Sequence, residues 1–337
     1  MSSNNRLANI ESLRGLACLL LVYYHVVGPL HGGLKLELGN PHRVMVDALV
    51  YIRMPLFTLI SGYIFSLYAS RPVTFGKFLK GKARRLLFPL MFVGVPISLA
   101  QALAPGINRD IGIRDALLSV VYPINHFWFL QAVFLVFCVV GFLNVRGALR
   151  RNSGLLAVFA ASVLLFLLPI TAPRFFSING MVYLFPFFMA GMVIQRFSHL
   201  LGAVDRRMYG ALLILLLVGQ LYLSYHLREV AIDRNSWTSL AVGLLACVLL
   251  YGLQLRSKAL CFIGFYSFPI YLFHTMAAVA VRVSFQAMSL DNVHLLVAAE
   301  LVAGIAAPIG IALLISRSEL LSTLLLGERA SNRKVAA

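Results

Sequence analysis

Charged residues are scarce in this sequence, and their scarcity excludes most classes of soluble protein. Only 12% of the 337 residues are Asp, Glu, Lys or Arg, whereas a soluble domain carries about 25%. Hydrophobic residues make up 60% of the chain. Because so few charges cannot cover the surface of a soluble globule, we expect a polytopic membrane protein.

Acidic residues are the scarcest charges, with 12 Asp and Glu against 29 Lys and Arg, for a net charge of +17. In a soluble protein this excess would favour binding to nucleic acid. Here most basic residues lie in short segments between apolar runs, and residues 70–85 alone hold six. Such segments are typical of cytoplasmic loops in membrane proteins. We therefore expect membrane lipids, and no nucleic acid, as partners.

Cysteines and the common catalytic motifs are equally sparse. The four cysteines show no CxxC spacing, so we predict neither disulfides nor a metal site. No GxSxG, HExxH, P-loop or Rossmann glycine pattern occurs, which removes the classes that depend on them. The first apolar run lacks a small-residue cleavage site, so we predict a retained helix in place of a signal peptide.

Apolar runs recur along the whole chain at lengths that predict membrane spans. Basic residues concentrate in every second connection, and only an even number of spans preserves that alternation with both termini cytoplasmic. We predict an all-α protein of about ten transmembrane helices, forming a single domain over 1–337 without an extracytoplasmic domain. The runs are 11–30, 44–69, 86–103, 126–143, 154–170, 179–196, 209–225, 238–255, 265–283 and 294–316.

The first run carries two groups that a membrane helix does not need. Arg14 lies near its start and His25 near its end, eleven residues apart. On an α-helix that separation is about 16 Å of rise and returns to within about 20° of the same face. Glu11 precedes Arg14 by three residues and can pair with it. In one interpretation, Arg14 reaches to the lipid headgroups and His25 is a hydrogen-bonded residue of the core. In the other, the Arg14 guanidinium and the His25 imidazole face the same groove between helices.

The second and ninth runs also carry polar residues within apolar sequence. Arg53 lies in mid-span, where an ionisable group is functional by default, and Asp47 lies six residues before it; we expect each to meet a partner on another helix. Ser61 is followed by Gly62, a small pair that also suits plain helix packing. In the ninth run, one helical stripe bears Ser267, Tyr271 and His274. That stripe suits either a cavity or interhelical hydrogen bonds.

Two further segments lie at the ends of spans. Arg84 and Arg85 open the third run, behind four more cations; they either serve topology or bind phosphate through forked donors. His126 and Trp128 begin the fourth run. Trp128 suits the aromatic belt of a membrane interface, and a ring beside His126 also suits stacking on a sugar. Glu300 in the tenth run is a buried carboxylate without a partner in its own helix.

Together these segments resemble the acyltransferase-3 family of integral membrane acyltransferases. The most specific element is an Arg and a His separated by ten residues, here Arg14 and His25. The resemblance extends nearly end to end. The supporting segments, in order, are LISGYIF at 59–65, ARRLLFP at 83–89, HFWFL at 126–130 and YSFPIYLFH at 266–274.

The resemblance implies a membrane enzyme that transfers an acyl group, usually acetyl from acetyl-CoA, onto a hydroxyl of a cell-surface or secreted glycan or a lipid-linked glycan. It implies location in the bacterial cytoplasmic (inner) membrane. The acid before the signature Arg is often Asp in the family and is Glu11 here. Some members carry an added hydrolase-like domain, and we expect the membrane part to complete the transfer in this chain.

The chemistry of the residues singled out above allows a mechanism for such a transfer. We expect His25 to act as general base or as an acyl-His nucleophile, with Glu11 holding Arg14. The pantetheine arm of CoA spans ~15–20 Å, close to the rise between Arg14 and His25. We expect the acyl donor to be bound by Arg14, Arg53, Ser61, Arg84 and Arg85. The group that stabilises the oxyanion or orients the base is expected among Arg53, Tyr271 and His274. We expect the acceptor to be bound by His126 and Trp128.

Two alternatives remain open at this level. Succinyl-CoA would require an extra cation in the donor pocket, for which Arg53 or Arg282 would serve. A proton-coupled transporter would also use buried Arg, His and Glu. The features that favour a transporter are missing from the sequence. Neither half of the sequence repeats the other, and no pair of interrupted membrane helices can be recognised.

Overall fold

The computed structural model describes residues 3–28, 32–69, 74–103, 112–170, 172–201, 205–226 and 234–328. Within those residues every regular element is a helix, which confirms the all-α prediction. The α-helices are α1 (Ser3–Val27), α2 (Pro41–Ala48), α3 (Val50–Tyr68), α4 (Phe75–Pro89), α5 (Val95–Leu103), α6 (Ile113–Leu117), α7 (Trp128–Val145), α8 (Asn152–Leu167), α9 (Ile178–Arg196), α10 (Ser198–Leu201), α11 (Arg206–His226), α12 (Trp237–Gly252), α13 (Lys258–Phe265), α14 (Ser267–Ala287), α15 (Val293–Ile315) and α16 (Glu319–Leu326).

Eight helical segments in the described part of the chain are long and apolar enough to cross a membrane. Two of the predicted runs coincide with shorter apolar helices, α8 and α12, of 16 residues each. A helix of 16 residues spans about 24 Å, somewhat less than a hydrocarbon core of about 30 Å. The chain is thus a multi-pass membrane protein, and the count of ten spans and the cytoplasmic termini stay predictions.

The chain divides into two compact units. The first unit comprises Met1–Ser66 and Ala190–Gly310, and the second comprises Leu67–Met189 and Ile311–Ala337. Each unit is built from two segments that are distant in sequence. The single-domain assignment stays a prediction.

Helix α1 is the centre of the first unit, and glycines let α13 approach it closely. A Cβ atom on Gly15 would collide with the carbonyl oxygen of Leu260, and one on Gly264 with the carbonyl oxygen of Glu11. Hydrogen bonds reinforce this contact, since the Ser257 amide donates to the Ser12 hydroxyl over 3.2 Å. This contact fixes the half of α1 that carries Glu11 and Arg14.

The second unit packs α4 against α7 and α16. The Lys82 ammonium lies 3.6 Å from the centroid of the Phe137 ring, and the Arg84 guanidinium donates to the carbonyl of Gly327 over 3.2 Å. A π-helical turn, Leu90–Gly94, follows Pro89. Proline lacks an amide hydrogen, which accounts for a local departure from the α-helical ladder at this point.

Two boundaries expected from the sequence are wrong. Residues 70–85 are not one loop, because α4 begins at Phe75 and places the basic residues from Lys77 onward on a helix. Lys and Arg are good helix formers, and an excess of charge does not interrupt a helix. The run 44–69 is two helices, α2 and α3, separated at Leu49. Arg71, residues 104–111 and the basic tail from Arg329 onward lie outside the described residues.

Candidate functional site

The N-terminal half of α1 holds the predicted Glu11–Arg14 ion pair. Arg14 Nη1 lies 2.8 Å from Glu11 Oε1 and 3.0 Å from Oε2. The side chains are 27% and 31% exposed. A pair three residues apart on one helix meets without help from the rest of the fold, so the guanidinium is held in place although it is not fully covered.

His25 lies on the same uninterrupted helix, in its last turn and two residues before its end. Its Nδ1 is 2.9 Å from the carbonyl oxygen of Leu21. A carbonyl oxygen only accepts hydrogen bonds, so Nδ1 carries the hydrogen and the neutral ring presents its lone pair at Nε2. The helix backbone therefore selects the tautomer of His25 and assigns Nε2 as the basic atom.

His274 on α14 lies beside His25. The ring centroids are 4.9 Å apart and the ring planes cross at 61°. His274 Nδ1 contacts the carbonyl oxygens of Ile270 at 2.8 Å and Tyr271 at 3.0 Å, so this ring also presents Nε2 as an acceptor. The first unit thus brings two predicted site residues, far apart in sequence, into one histidine pair.

Arg53 on α3 completes this group of residues, and it brings in Tyr24, which sequence reasoning missed. The Arg53 guanidinium carbon lies 3.4 Å from the centroid of the Tyr24 ring, a cation–π contact. Tyr24 also meets His25 edge-on, with centroids 5.3 Å apart. Arg53 is buried, and Tyr24 is in contact with both its guanidinium and the His25 ring. The available signal was a mid-span Arg that needed a partner.

Tyr271 and Ser61 are placed differently with respect to this histidine pair. Tyr271 is buried on α14, one turn before His274, as the polar stripe predicts. The Ser61 hydroxyl donates to the carbonyl of Phe57 on its own helix, over 2.9 Å. A serine bonded to its own helix turn is typical of membrane helices, and this bond supports the packing interpretation for Ser61.

The predicted donor-binding cations Arg84 and Arg85 and the predicted acceptor-binding residues lie in the second unit. Arg85 is exposed on α4, while Arg84 is half-buried against Gly327. Trp128, the first residue of α7, packs with its ring centroid 6.4 Å from that of Tyr183. His126 is buried, with its ring 4.1 Å from that of Phe127.

Two further buried ion pairs lie in the first unit, and one of them corrects an expectation. Asp47 does not meet a partner on another helix, because it accepts from Arg43 Nε at 2.8 Å, four residues earlier on α2. Glu300, which is wholly buried, is held by Arg282 from the neighbouring helix α14, with contacts of 2.9 and 2.7 Å.

A chain of three polar side chains was also missed. Tyr23 Oη lies 2.9 Å from His42 Nδ1, and His42 Nε2 lies 2.9 Å from His294 Nδ1. Burial lowers the pKa of His42 below its usual range, and the charge of His294 lowers this pKa further. The three residues come from α1, α2 and α15, so no local pattern indicates their meeting.

The group formed by His25, His274 and Arg53 combines a basic nitrogen with a buried cation. A basic nitrogen can accept the proton of a hydroxyl nucleophile. A buried cation can stabilise the negative oxygen that forms when a carbonyl is attacked. Among the described residues, no three His, Cys, Asp or Glu side chains converge on a position for a metal ion.

An all-α chain with eight helical segments able to cross a membrane, and with this polar group in its interior, is a multi-pass membrane protein. Over residues 7–317, nearly its whole length, the chain matches the acyltransferase domain that defines the acyltransferase-3 family. It belongs to this family and is a membrane acyltransferase, with an acyl donor and an acceptor as substrates. Comparisons with curated proteins and with solved structures found no significant match.

Proposed function

We propose that this protein transfers an acyl group, in the first instance acetyl, from cytoplasmic acyl-CoA to a hydroxyl of a cell-surface or secreted glycan, in the bacterial cytoplasmic membrane. The observation that carries this proposal is the placement of His25. Its tautomer is set by Leu21, it lies beside His274, and Tyr24 contacts both the His25 ring and the Arg53 guanidinium. A histidine that only filled space would not need this second imidazole and a buried guanidinium.

In the proposed reaction His25 Nε2 removes the proton of the acceptor hydroxyl. The oxygen attacks the thioester carbonyl, a new C–O bond forms, and the C–S bond to CoA breaks. The proton on Nε2 then passes to the CoA thiolate, so that the ester and CoASH leave and His25 returns neutral. An unperturbed His titrates near pH ~6.5, which suits both proton transfers.

The neighbouring residues have separate proposed roles. Arg53 is the best candidate for stabilising the oxyanion, because it is a buried cation and contacts Tyr24, which adjoins the His25 ring. His274 and Tyr271 orient the His25 ring from α14. Glu11 holds Arg14 for donor binding. Trp128 and His126 remain the proposed acceptor contacts within the second unit, where an aromatic face would stack on a sugar ring.

The proposed acyl group is acetyl in preference to succinyl. A succinyl carboxylate requires an additional cation, and the candidates were Arg53 and Arg282. Arg282 already donates to both oxygens of Glu300 and to the carbonyl of Gly33. Of these two candidates Arg53 would have to bind the succinyl carboxylate, and its guanidinium would then be withdrawn from the oxyanion.

Acetyl-CoA binding and turnover by the purified protein test this proposal. We expect saturable binding in calorimetry, and release of CoA, detected by mass spectrometry, that increases when a bacterial surface glycan is added. Succinyl-CoA is the matched donor and is expected to react more slowly. Binding and release with neither donor would contradict an acyl-CoA enzyme and would favour the transporter alternative.

Arg85→Ala is expected to weaken acetyl-CoA binding about tenfold, which corresponds to the lower end of the about 1.5–3 kcal/mol that a hydrogen bond to a charged group contributes. Arg85 is exposed on α4, beside two other exposed cations, Lys77 and Lys80, so anionic phosphates can reach it. Added salt should reduce the difference between the two proteins by screening. The measurement is the dissociation constant at low and high salt.

Arg151→Ala is the control, because it removes the same charge from an exposed position just before α8. It should leave the affinity unchanged. Equal weakening by both substitutions would show that only the net charge matters, and would exclude a phosphate contact at Arg85.

A further inference from the structure

Segment 33–36, which follows the end of α1, is held by two separate arginines. Arg282 Nη1 donates to the carbonyl of Gly33 over 2.8 Å. Arg43 Nη1 donates to the carbonyl of Leu36 over 3.3 Å. Each arginine is at the same time paired with a carboxylate, Glu300 or Asp47. We call segment 33–36 with these two ion pairs the clasp.

The clasped segment is bonded back onto the last turn of α1. The Leu34 amide donates to the carbonyl of Val26 over 2.9 Å, and the Leu36 amide approaches the carbonyl of Val27 at 3.5 Å. These carbonyls lie at the end of the helix, where no further turn supplies amide donors. The clasped segment thus supplies amide donors to the carbonyls one and two residues beyond His25, at the end of the helix.

Glycines allow this segment to lie directly against His25. Gly33 has a φ of +61°, and a Cβ atom at this position would lie 2.5 Å from the backbone oxygen of His25 and from the Cα atom of Gly28. A side chain at Gly33 would therefore push the segment away from the helix end. A displacement of the clasped segment would therefore also displace the backbone of His25.

Helix α15 packs against the helices α1 and α14, which carry His25 and His274. Glu300 and Gly304 are four residues apart and share a face of α15. A Cβ atom on Gly304 would lie 2.7 Å from Val22 Cγ1 and 3.8 Å from His274 Cβ. The helix that supplies the carboxylate of the clasp therefore packs closely against both helices of the histidine pair.

We propose that Arg282 and Glu300, with Arg43 and Asp47 in support, are positioning residues that set the end of α1 and hence the geometry of His25. Glu300 is wholly buried and its carboxylate binds both ends of the Arg282 fork, which leaves a single rigid orientation for the donor to Gly33. A buried ion pair contributes little net stability compared with well-packed apolar residues, so placement explains its presence better. This inference rests on the proposed function for its catalytic half.

The double variant Arg282→Met/Glu300→Gln tests the clasp without leaving a buried unpaired charge. Methionine keeps much of the side-chain stem and glutamine keeps the shape of the carboxylate. Ser284→Ala is the matched control on α14, since the Ser284 side chain is exposed and its hydroxyl donates to the carbonyl of Ala280 on its own helix. The charge-neutral pair Arg43→Gln/Asp47→Asn tests the second arginine in the same way.

The first readout is amide hydrogen exchange of the folded protein, which needs no enzymatic activity. We expect exchange at Leu34 to become at least about tenfold faster in the Arg282→Met/Glu300→Gln protein, because its bond to Val26 is no longer supported. Amides of α13 serve as the internal reference and should not change. Unchanged exchange at Leu34 would overturn the clasp.

The second readout separates positioning from general stability. In the folded fraction we expect kcat to fall about 10–100-fold, because a displacement of about 1 Å of a catalytic group has that effect. KM for acetyl-CoA should remain unchanged. Faster exchange at Leu34 with an unchanged kcat would overturn the positioning role. If the wild-type protein transfers no acyl group, the proposed function fails, while hydrogen exchange still decides whether the clasp exists.

Discussion

Replacement of His25 by alanine is expected to lower the rate of acyl transfer by about 10²–10⁴-fold, the contribution of a positioned general base. Acetyl-CoA affinity should stay the same, because the imidazole acts on the acceptor hydroxyl and not on the nucleotide. The side chain is half-buried, so its removal also leaves space in which water can take its place without acting as an equally basic group. The measurement is single-turnover transfer beside calorimetric binding.

His226→Ala provides the control for loss of an imidazole elsewhere in the first unit. His226 ends α11 and is exposed, with contacts to Tyr222 and Tyr225 of its own helix. We expect wild-type activity from this variant. A His25→Ala protein that binds acetyl-CoA and retains more than about a tenth of the wild-type rate would contradict general-base catalysis by His25.

The wild-type and His25→Ala proteins also distinguish direct transfer from an acyl-His intermediate. With radiolabelled acetyl-CoA and no acceptor, an intermediate would leave label on the wild-type protein after a rapid quench and none on His25→Ala. Direct transfer, which we propose, leaves no label on either. The sequence allowed both routes, and the tautomer imposed by Leu21 suits both, since each uses Nε2.

Gly15→Ala is expected to destabilise the protein by about 1–3 kcal/mol, the typical effect of overpacking. The new methyl group would meet the carbonyl oxygen and the backbone carbon atoms of Leu260, and a backbone cannot rotate away as a side chain can. The better helix propensity of alanine returns at most about 1 kcal/mol. Thermal unfolding in detergent, monitored by intrinsic fluorescence, measures the change in Tm.

Gly219→Ala is the matched control, because it makes the same chemical change in the middle of a helix. A Cβ atom at Gly219 on α11 has nothing within 4 Å, so only the gain in helix propensity should remain and Tm should rise or stay constant. Equal shifts in the two variants would show that α1 and α13 do not approach each other as closely as the structure indicates. Lower activity of Gly15→Ala would accompany the loss of stability, because α1 carries His25.

Local features of the candidate site could be predicted from the sequence because they depend on a single helix. The spacing of Glu11, Arg14 and His25 specifies their arrangement once α1 is helical, and the Glu11–Arg14 pair forms as predicted. The stripe with Tyr271 and His274 likewise lies on one continuous helix, α14. Helix boundaries were less certain, since the basic residues before Arg85 are compatible with either a loop or the first turns of a helix.

Contacts between distant segments could not be predicted. Periodicity states which residues share a face of one helix, but not which other helix that face meets. His25 and His274, Arg53 and Tyr24, and Arg282 and Glu300 are each joined only by packing within the first unit. The prediction for Asp47 failed for the opposite reason, because its partner is local. Arg43 lies four residues earlier on the short helix α2, which was not recognised as separate from α3 in the run 44–69.

By itself the sequence determined the all-α class, the membrane environment and the family signature. It also identified the polar and charged residues whose burial in an apolar environment costs free energy. Composition and local spacing suffice for these, since lipid excludes unsatisfied backbone and unpaired charge everywhere along the chain. Only the tertiary structure decided which of those polar residues meet. Partner choice depends on how helices far apart in sequence pack, and in this protein glycines at Gly15, Gly33, Gly264 and Gly304 set those distances.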